Sequence, residues 1–211
     1  MTILPPPTSL SFFAFAFILA LAPGPDNFFV CMQSALHGRR AGLSVVLGLC
    51  TGLLGHTAAV ALGLAAVLAA SAWALMVIRL IGAAYLLYLA WQAWQAPAQL
   101  MGAAPVASLS HRQLYLRGII MNLSNPKVTL FFLAFLPQFT QPQLGHVAGQ
   151  VVYLGALFML ATFVVFGSIA YGSGLFGEKL LRSSRAQLWL NRVAAVLFAG
   201  LAIRLLLVQP D

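Results

Sequence analysis

The stretch Leu21-Ala22-Pro23-Gly24-Pro25-Asp26-Asn27 interrupts an apolar run that begins near Leu10 and resumes at Phe28. Proline removes a backbone donor and clashes with the preceding helical turn, and the glycine between the two prolines adds conformational freedom. We therefore predict a helix that breaks here and restarts with Pro25 in its first turn, where a missing N–H costs little. A carboxylate, Asp26, follows the break directly.

The composition predicts an all-α membrane protein. Of the 211 residues, 62% are hydrophobic and only 7% are charged, whereas an ordinary soluble domain carries about 25% charged residues. The apolar runs are continuous and do not alternate with polar residues, which favours membrane helices over barrel strands. Asp26 is one of three acidic residues in the chain. A carboxylate inside a span is costly and is a functional candidate by default.

Six spans are predicted. They run over about Leu10–Leu36, Ala41–Ala69, Trp73–Trp94, Gly118–Phe139, His146–Tyr171 and Leu188–Val208, and each is long enough for a bilayer core. Residues 1–96 would form a first three-helix repeat, 97–117 a cytoplasmic connector and 118–211 a second repeat. Because each half contains an odd number of spans, the second repeat would start on the opposite side of the membrane and be inverted relative to the first. The first span of each half carries a proline interruption, which is typical of a transporter site.

The basic residues predict the orientation. The net charge is +8, which in a soluble protein would suggest nucleic acid. Here most of the basic residues lie in short connectors, so the charge indicates topology and no nucleic-acid partner. Connectors two and four are uncharged, and by the positive-inside rule both termini lie outside. The cytoplasmic connectors one, three and five hold Arg39 and Arg40; Arg112 and Arg117; and Lys179, Arg182 and Arg185.

The two interruptions together form the candidate substrate site. Facing breaks expose carbonyls for cations and N–H groups for anions, and Asp26 with Lys127 could complement a zwitterionic amino acid. Alternatively, the two side chains only neutralise each other, and Asn125 only caps the helix that Pro126 restarts. The predicted substrate-binding residues are Pro23, Gly24, Pro25, Asp26, Asn27, Asn122, Asn125, Pro126 and Lys127.

Span 2 supplies the remaining candidates. Gly48, Gly52 and Gly55 are spaced for close helix packing. His56 is either a proton relay or a hydrogen-bonded packing residue. Asp26 could alternate between binding a proton and binding substrate, so Asp26 and His56 are the proton-coupling candidates.

No enzyme, cofactor or metal site is predicted. The sequence has no nucleophile elbow, HExxH or P-loop motif. Cys31 and Cys50 fall on predicted helices without metal-ligand spacing and are expected to be buried thiols.

Three motifs in order resemble the lysine-exporter (LysE/RhtB) family: Ala22–Asp26, Gly38–Gly42, and Asn125–Lys127 followed by Phe131–Phe139. The resemblance covers essentially the whole chain. It implies a bacterial inner-membrane secondary exporter of amino acids, coupled to the proton gradient. Because acidic residues are scarce, we expect a neutral substrate such as threonine, homoserine or leucine.

Alternatives remain open at this stage. A six-span metal-ion or electron carrier would need clustered acids, histidines or a cysteine pair on equivalent spans, and a non-transporting membrane subunit would need none of these. The expected partners are the amino acid, protons and the lipid bilayer, and a homo-oligomer is compatible with the sequence.

Overall fold

The computed structural model describes residues 4–22, 24–70, 72–97, 109–172 and 183–207. Within these residues the chain is entirely helical, which confirms the predicted class. The helices are α1 (Pro6–Leu21), α2 (Pro25–His37), α3 (Arg39–Ala70), α4 (Ala72–Gln95), α5 (His111–Leu123), α6 (Pro126–Leu130), α7 (Val147–Gly172) and α8 (Ser184–Leu207). Between α6 and α7 lie a π-helical segment (Phe131–Phe135) and two 3₁₀ turns (Leu136–Phe139 and Pro142–Leu144).

The first span breaks where the Pro-Gly-Pro sequence predicts. α1 ends at Leu21, and α2 restarts with Pro25 in its first turn and with Gly24 in an extended conformation before it. The axes of α1 and α2 differ by 64°. Pro23 lies outside the described residues. The bend places the C-terminal carbonyls of α1 beside the N-terminus of α2, and this pairing builds half of the candidate site.

The second break also follows its prolines. α5 ends at Leu123, and the Asn125 side chain caps the restart by accepting a hydrogen bond from the Lys127 amide at 3.0 Å. The following helical stretch bends by 49° from α5. It tightens from π-helix into a 3₁₀ turn that contains Pro137. A π-helical segment inside a broken span leaves the helix locally irregular, as is frequent at functional sites.

α5 begins seven residues before the predicted start of span 4, at His111 instead of Gly118. The cause is a capping box. Ser110 Oγ accepts from the Gln113 amide, and the Gln113 side chain accepts from the Ser110 amide at 2.9 Å. This reciprocal pair satisfies two helix-end donors and fixes the start of α5. Arg112 and Arg117 therefore lie on the helix and not in a connector.

Two described helical stretches, Arg39–Gly63 and Val147–Gly172, are each long and apolar enough to cross a bilayer, and counting each bent pair as one span brings the total to four. The protein is thus a multi-pass membrane protein. The six-span count, the inverted repeat and the three-part division at residues 96 and 117 stay predictions.

α3 and α5 run parallel and touch along their backbones. Three successive contacts join them in register: Ser44 Oγ with His111 Nδ1 at 2.9 Å, Thr51 Oγ1 with the Tyr115 hydroxyl at 3.0 Å, and His56 Nε2 with the Asn122 carbonyl at 3.2 Å. The contact is close because glycines face it.

Gly48 and Gly118 face each other at the contact between α3 and α5. A Cβ built at Gly48 would overlap the Tyr115 carbonyl oxygen and lie 3.0 Å from Gly118 Cα. A Cβ at Gly52 would lie 2.7 Å from the Asn122 side chain, and one at Gly55 would lie 3.0 Å from Leu123. Small residues permit this approach, and it holds Asn122 next to the second break.

The core between α1, α7 and the π-helical segment is aromatic. Phe131 packs against Phe135 with ring centroids 4.8 Å apart and against Phe158 at 5.2 Å. Phe12 lies edge-on to Phe139 at 5.2 Å. These rings are fully or almost fully buried.

Candidate functional site

The two breaks meet in the interior of the bundle. Asn125 Nδ2, at the second break, donates to Asp26 Oδ2, at the first, over 2.8 Å. Asp26 is only 6% exposed. The two residues are 99 positions apart in the chain, so this contact exists only because the bends bring the interruptions together. Asn125 acts both as the cap of α6 and as the donor to Asp26.

Lys127 reaches across to the end of α1. Its Nζ donates to the carbonyl oxygens of Leu19 and Ala22, each at 3.2 Å. These carbonyls belong to the last turn of α1 and have no partner within the helix. A cation at a helix C-terminus is also favoured by the helix dipole. Lys127 therefore neutralises the carbonyl end of the first break.

Asp26 and Lys127 share the site without touching. Among the residues that the structure describes, no ion pair within 4.0 Å joins them. If the two side chains neutralise each other, they do so across a distance and not through direct contact. Each has its own neutral partner, the amide of Asn125 for Asp26 and the α1 carbonyls for Lys127. A carboxyl group and an amino group thus line the same cavity without a direct contact.

Asn27 completes the capping of α1. Its Nδ2 donates to the Ala20 carbonyl at 2.9 Å, whereas its Oδ1 is buried and has no hydrogen-bond partner in the described part of the chain. The Asn122 side chain is in the same situation, with a buried and unpartnered Oδ1. Two unsatisfied amide oxygens beside the breaks are unusual for a dry protein interior, and they are acceptors that a ligand ammonium or hydroxyl can use.

A small cavity separates these groups. Its free volume of about 20 Å³ for water-sized spheres exceeds the roughly 10–15 Å³ that one water needs. The cavity is too small for an amino acid without movement of the surrounding helices. Its lining comes from α1, α2, α3, α5, α6 and α7, with the residues Leu19, Ala20, Asp26, Leu49, Asn122, Lys127, Val128, Phe158, Thr162 and Phe166.

The remaining predicted site residues lie around this cavity. Gly24, Pro25 and Pro126 shape the two breaks, and a Cβ at Gly24 would lie 3.7 Å from Lys127 Nζ. His56 does not line the cavity. Its Nε2 donates to the Asn122 carbonyl, and its ring packs on Phe132 at 5.5 Å between centroids. His56 therefore reaches the cavity only through Asn122.

α7 contributes residues that the sequence analysis did not single out. Phe158, Thr162 and Phe166 line the cavity from one side. Their spacing of four residues places them on one helix face. The available signal was Thr162, a hydroxyl within the long apolar segment that separates Tyr153 from Ser168.

Other polar candidates lie away from the cavity. Cys31 and Cys50 are buried on α2 and α3. Among the described residues, no group of three or more histidine, cysteine or acidic side chains could hold a metal ion.

Two broken helical segments that meet at a buried aspartate and a half-buried lysine define a class, the membrane transporters with discontinuous helices. The chain belongs to the LysE type translocator family, whose model matches residues 17–209. It is a transporter-family protein and not an enzyme. The predicted family is thereby confirmed.

Relatives carry both general and specific names. The chain is 31% identical to an uncharacterized membrane protein of Vibrio cholerae over 90% of its length and 92% of the relative. It is 30% identical to a threonine efflux protein of Salmonella typhi, with 90% and 93% covered. A homoserine/homoserine lactone efflux protein of Salmonella typhimurium is 33% identical, with 70% and 71% covered. No solved structure matches.

Proposed function

We propose that the protein is a proton-coupled secondary exporter of a small neutral amino acid or derivative, such as threonine, homoserine or leucine. The observation that carries the proposal is that the two helix breaks meet. Asp26 accepts a hydrogen bond from Asn125, and Lys127 donates to carbonyls at the end of α1. The named relatives that export threonine and homoserine support this substrate class.

The proposed site binds a zwitterion between the two breaks. The Lys127 ammonium lies on carbonyls of Leu19 and Ala22, which is where a substrate ammonium would find acceptors. In this mechanism the substrate displaces Lys127 from one or both carbonyls. Its ammonium then takes those carbonyls or Asp26, and its carboxylate takes Lys127 and the amides of the first turn of α2.

A neutral side chain fits the remaining lining. Beyond Asp26 and Lys127, the lining groups are apolar or uncharged, with Thr162 opposite the break. A basic substrate would bring a second cation to a site with one carboxylate, at a high desolvation cost. A short side chain with one hydroxyl finds both apolar packing and an acceptor, the unpartnered Asn122 Oδ1.

The proposed orientation places the termini outside and the basic connectors in the cytoplasm of the inner membrane. One end of the described bundle carries basic side chains. There the Arg39 guanidinium lies 5.5 Å from the centroid of the Tyr171 ring, and His111 forms a hydrogen bond with Ser44. The opposite end contains uncharged contacts, such as Gln141 with Gln150. This asymmetry supports the positive-inside assignment. Lys179 and Arg182 lie outside the described residues.

The proposed function is tested by efflux from bacteria that are loaded with labelled threonine, homoserine or leucine. We expect cells that produce the protein to export at least one of these amino acids faster than cells without it, and a protonophore to remove the difference. Efflux of none of them would refute the neutral substrate class. Efflux that is insensitive to the protonophore would refute the proton coupling alone.

A further inference from the structure

One face of α2 carries three polar side chains, interrupted by Val30, and most of this face is buried. Asp26, Val30, Gln33 and His37 follow one another at intervals of three or four residues, so they align on one side of the helix. Gln33 lies about 10 Å from Asp26 along the axis at about 1.5 Å per residue. His37 is exposed at the far end, and its Nδ1 lies 3.1 Å from Gln33 Oε1.

Two buried side chains on this face each carry a polar atom without a partner. Gln33 is 0% exposed and Ser34 is 5% exposed. Gln33 Nε2 and Ser34 Oγ have no hydrogen-bond partner within the part of the chain that the structure describes. Together with Asn27 Oδ1, three of the four such atoms found among the described residues belong to α2. Unpartnered buried polar groups destabilise a fold, so their concentration on one helix indicates a functional role.

Ser34 lies where three helices come close together. A Cβ at Gly42, on α3, would overlap Ser34 Oγ and lie 3.2 Å from Ala170 Cβ, on α7. Three helices therefore converge on Ser34. α2 itself connects to α3 through Gly38, whose φ of +84° is a conformation that favours glycine. Nothing lies within 4 Å of a Cβ built at Gly38, so other atoms do not pack closely against this joint.

We propose that this face of α2 lines the cytoplasmic half of the substrate path and that Gln33 and Ser34 form a second polar binding position on it. The inference rests on the proposed export function. In the closed state described here, Val30, which is fully buried, separates this second binding position from Asp26. When α2 moves away from α3 and α7, the amide of Gln33 and the hydroxyl of Ser34 bind the ammonium and carboxylate of the entering amino acid.

Gln33→Met distinguishes this role from packing. Methionine has nearly the same volume and removes the unpartnered Nε2 together with the part-buried contact of Oε1 with His37, so the thermal stability of the purified protein should change little. The maximal export rate should fall about tenfold, the equivalent of one lost hydrogen bond in the transport cycle. Ser34→Ala should act in the same direction, whereas Ser168→Ala, an exposed serine on α7 that bonds within its own helix, should export normally.

Cysteine labelling gives a second measurement that needs no known substrate. In a variant with Cys31 and Cys50 replaced by alanine, a cysteine at Gln33 should react with an impermeant thiol reagent from the cytoplasmic side. A cysteine at Val46, which is fully buried on α3, is the control and should not react. Added substrate should slow the reaction at Gln33.

Either of two results would overturn the proposal. One is a Gln33→Cys variant that is as unreactive as Val46→Cys while the protein exports normally. The other is a Gln33→Met variant with unchanged export, or with export and stability reduced together. A wild-type protein that exports none of the amino acids offered would instead refute the proposed function, and labelling at Gln33 would still report whether the path opens.

Discussion

Asp26→Asn is expected to abolish proton-driven export while leaving the protein folded. Asparagine has the shape of aspartate and can still accept from Asn125 Nδ2 through its side-chain oxygen. It cannot take up a proton. If Asp26 exchanges a proton for substrate in each cycle, the variant loses the step that couples inward proton flow to outward amino-acid flow.

The measurement uses purified protein in proteoliposomes. Asp26→Asn should catalyse exchange of labelled for unlabelled substrate across the membrane but should not accumulate substrate against its gradient when a pH gradient is imposed. Asp26→Glu, which restores a titratable carboxyl group, is the matched control and should recover part of the coupled transport. Normal pH-driven accumulation by Asp26→Asn would leave the substrate site in place but remove its coupling mechanism.

Gly48→Leu is expected to destabilise the fold strongly. A Cβ at Gly48 already overlaps the Tyr115 carbonyl oxygen and lies 3.0 Å from Gly118 Cα. Backbone atoms cannot rotate away as a side chain can, so α3 and α5 must separate. Overpacking of interiors costs about 1–3 kcal/mol when side chains absorb it. Here we expect more than about 3 kcal/mol, because the obstacle is backbone.

Yield of monodisperse protein after size-exclusion chromatography and its thermal unfolding midpoint measure this effect. Gly52→Leu should follow Gly48→Leu, since its Cβ would press on the Asn122 side chain at 2.7 Å. Gly63→Leu, on the same helix, is the control, because nothing lies within 4 Å of a Cβ there. Wild-type yield and stability for Gly48→Leu would mean that α3 does not pack on α5 as described.

The helix breaks were predictable because proline acts locally. Pro25 and Pro126 each restart a helix at the position that their missing N–H dictates. The predicted ends of spans 2, 3 and 5 lie close to the observed ends of α3, α4 and α7, because hydropathy and interfacial aromatic residues mark those ends in the sequence. The start of α5 was misplaced because hydropathy does not register the Ser110–Gln113 capping box, which stabilises a helix among polar residues.

The arrangement inside the site depends on packing that the sequence does not encode locally. Charge alone suggested that Lys127 would approach Asp26, but the orphan carbonyls of Leu19 and Ala22 compete for the same ammonium and hold it. The lining from α7 and the buried amide of Gln33 depend equally on how the helices assemble. Only the presence of a lone polar residue in an apolar helix, as at Thr162, hinted at them.

The central claim is that both breaks bind one substrate, and the dissociation constant of the exported amino acid tests it most directly. Isothermal titration with purified protein in lipid nanodiscs compares wild type with Lys127→Met. Removing one partner of a buried charge contact costs about 2 kcal/mol or more, so the dissociation constant should rise at least about 30-fold. Arg192→Met, which removes a cation that lies over the Trp94 ring instead, should bind as wild type does. Unchanged affinity for a folded Lys127→Met variant would contradict a site shared by the two breaks.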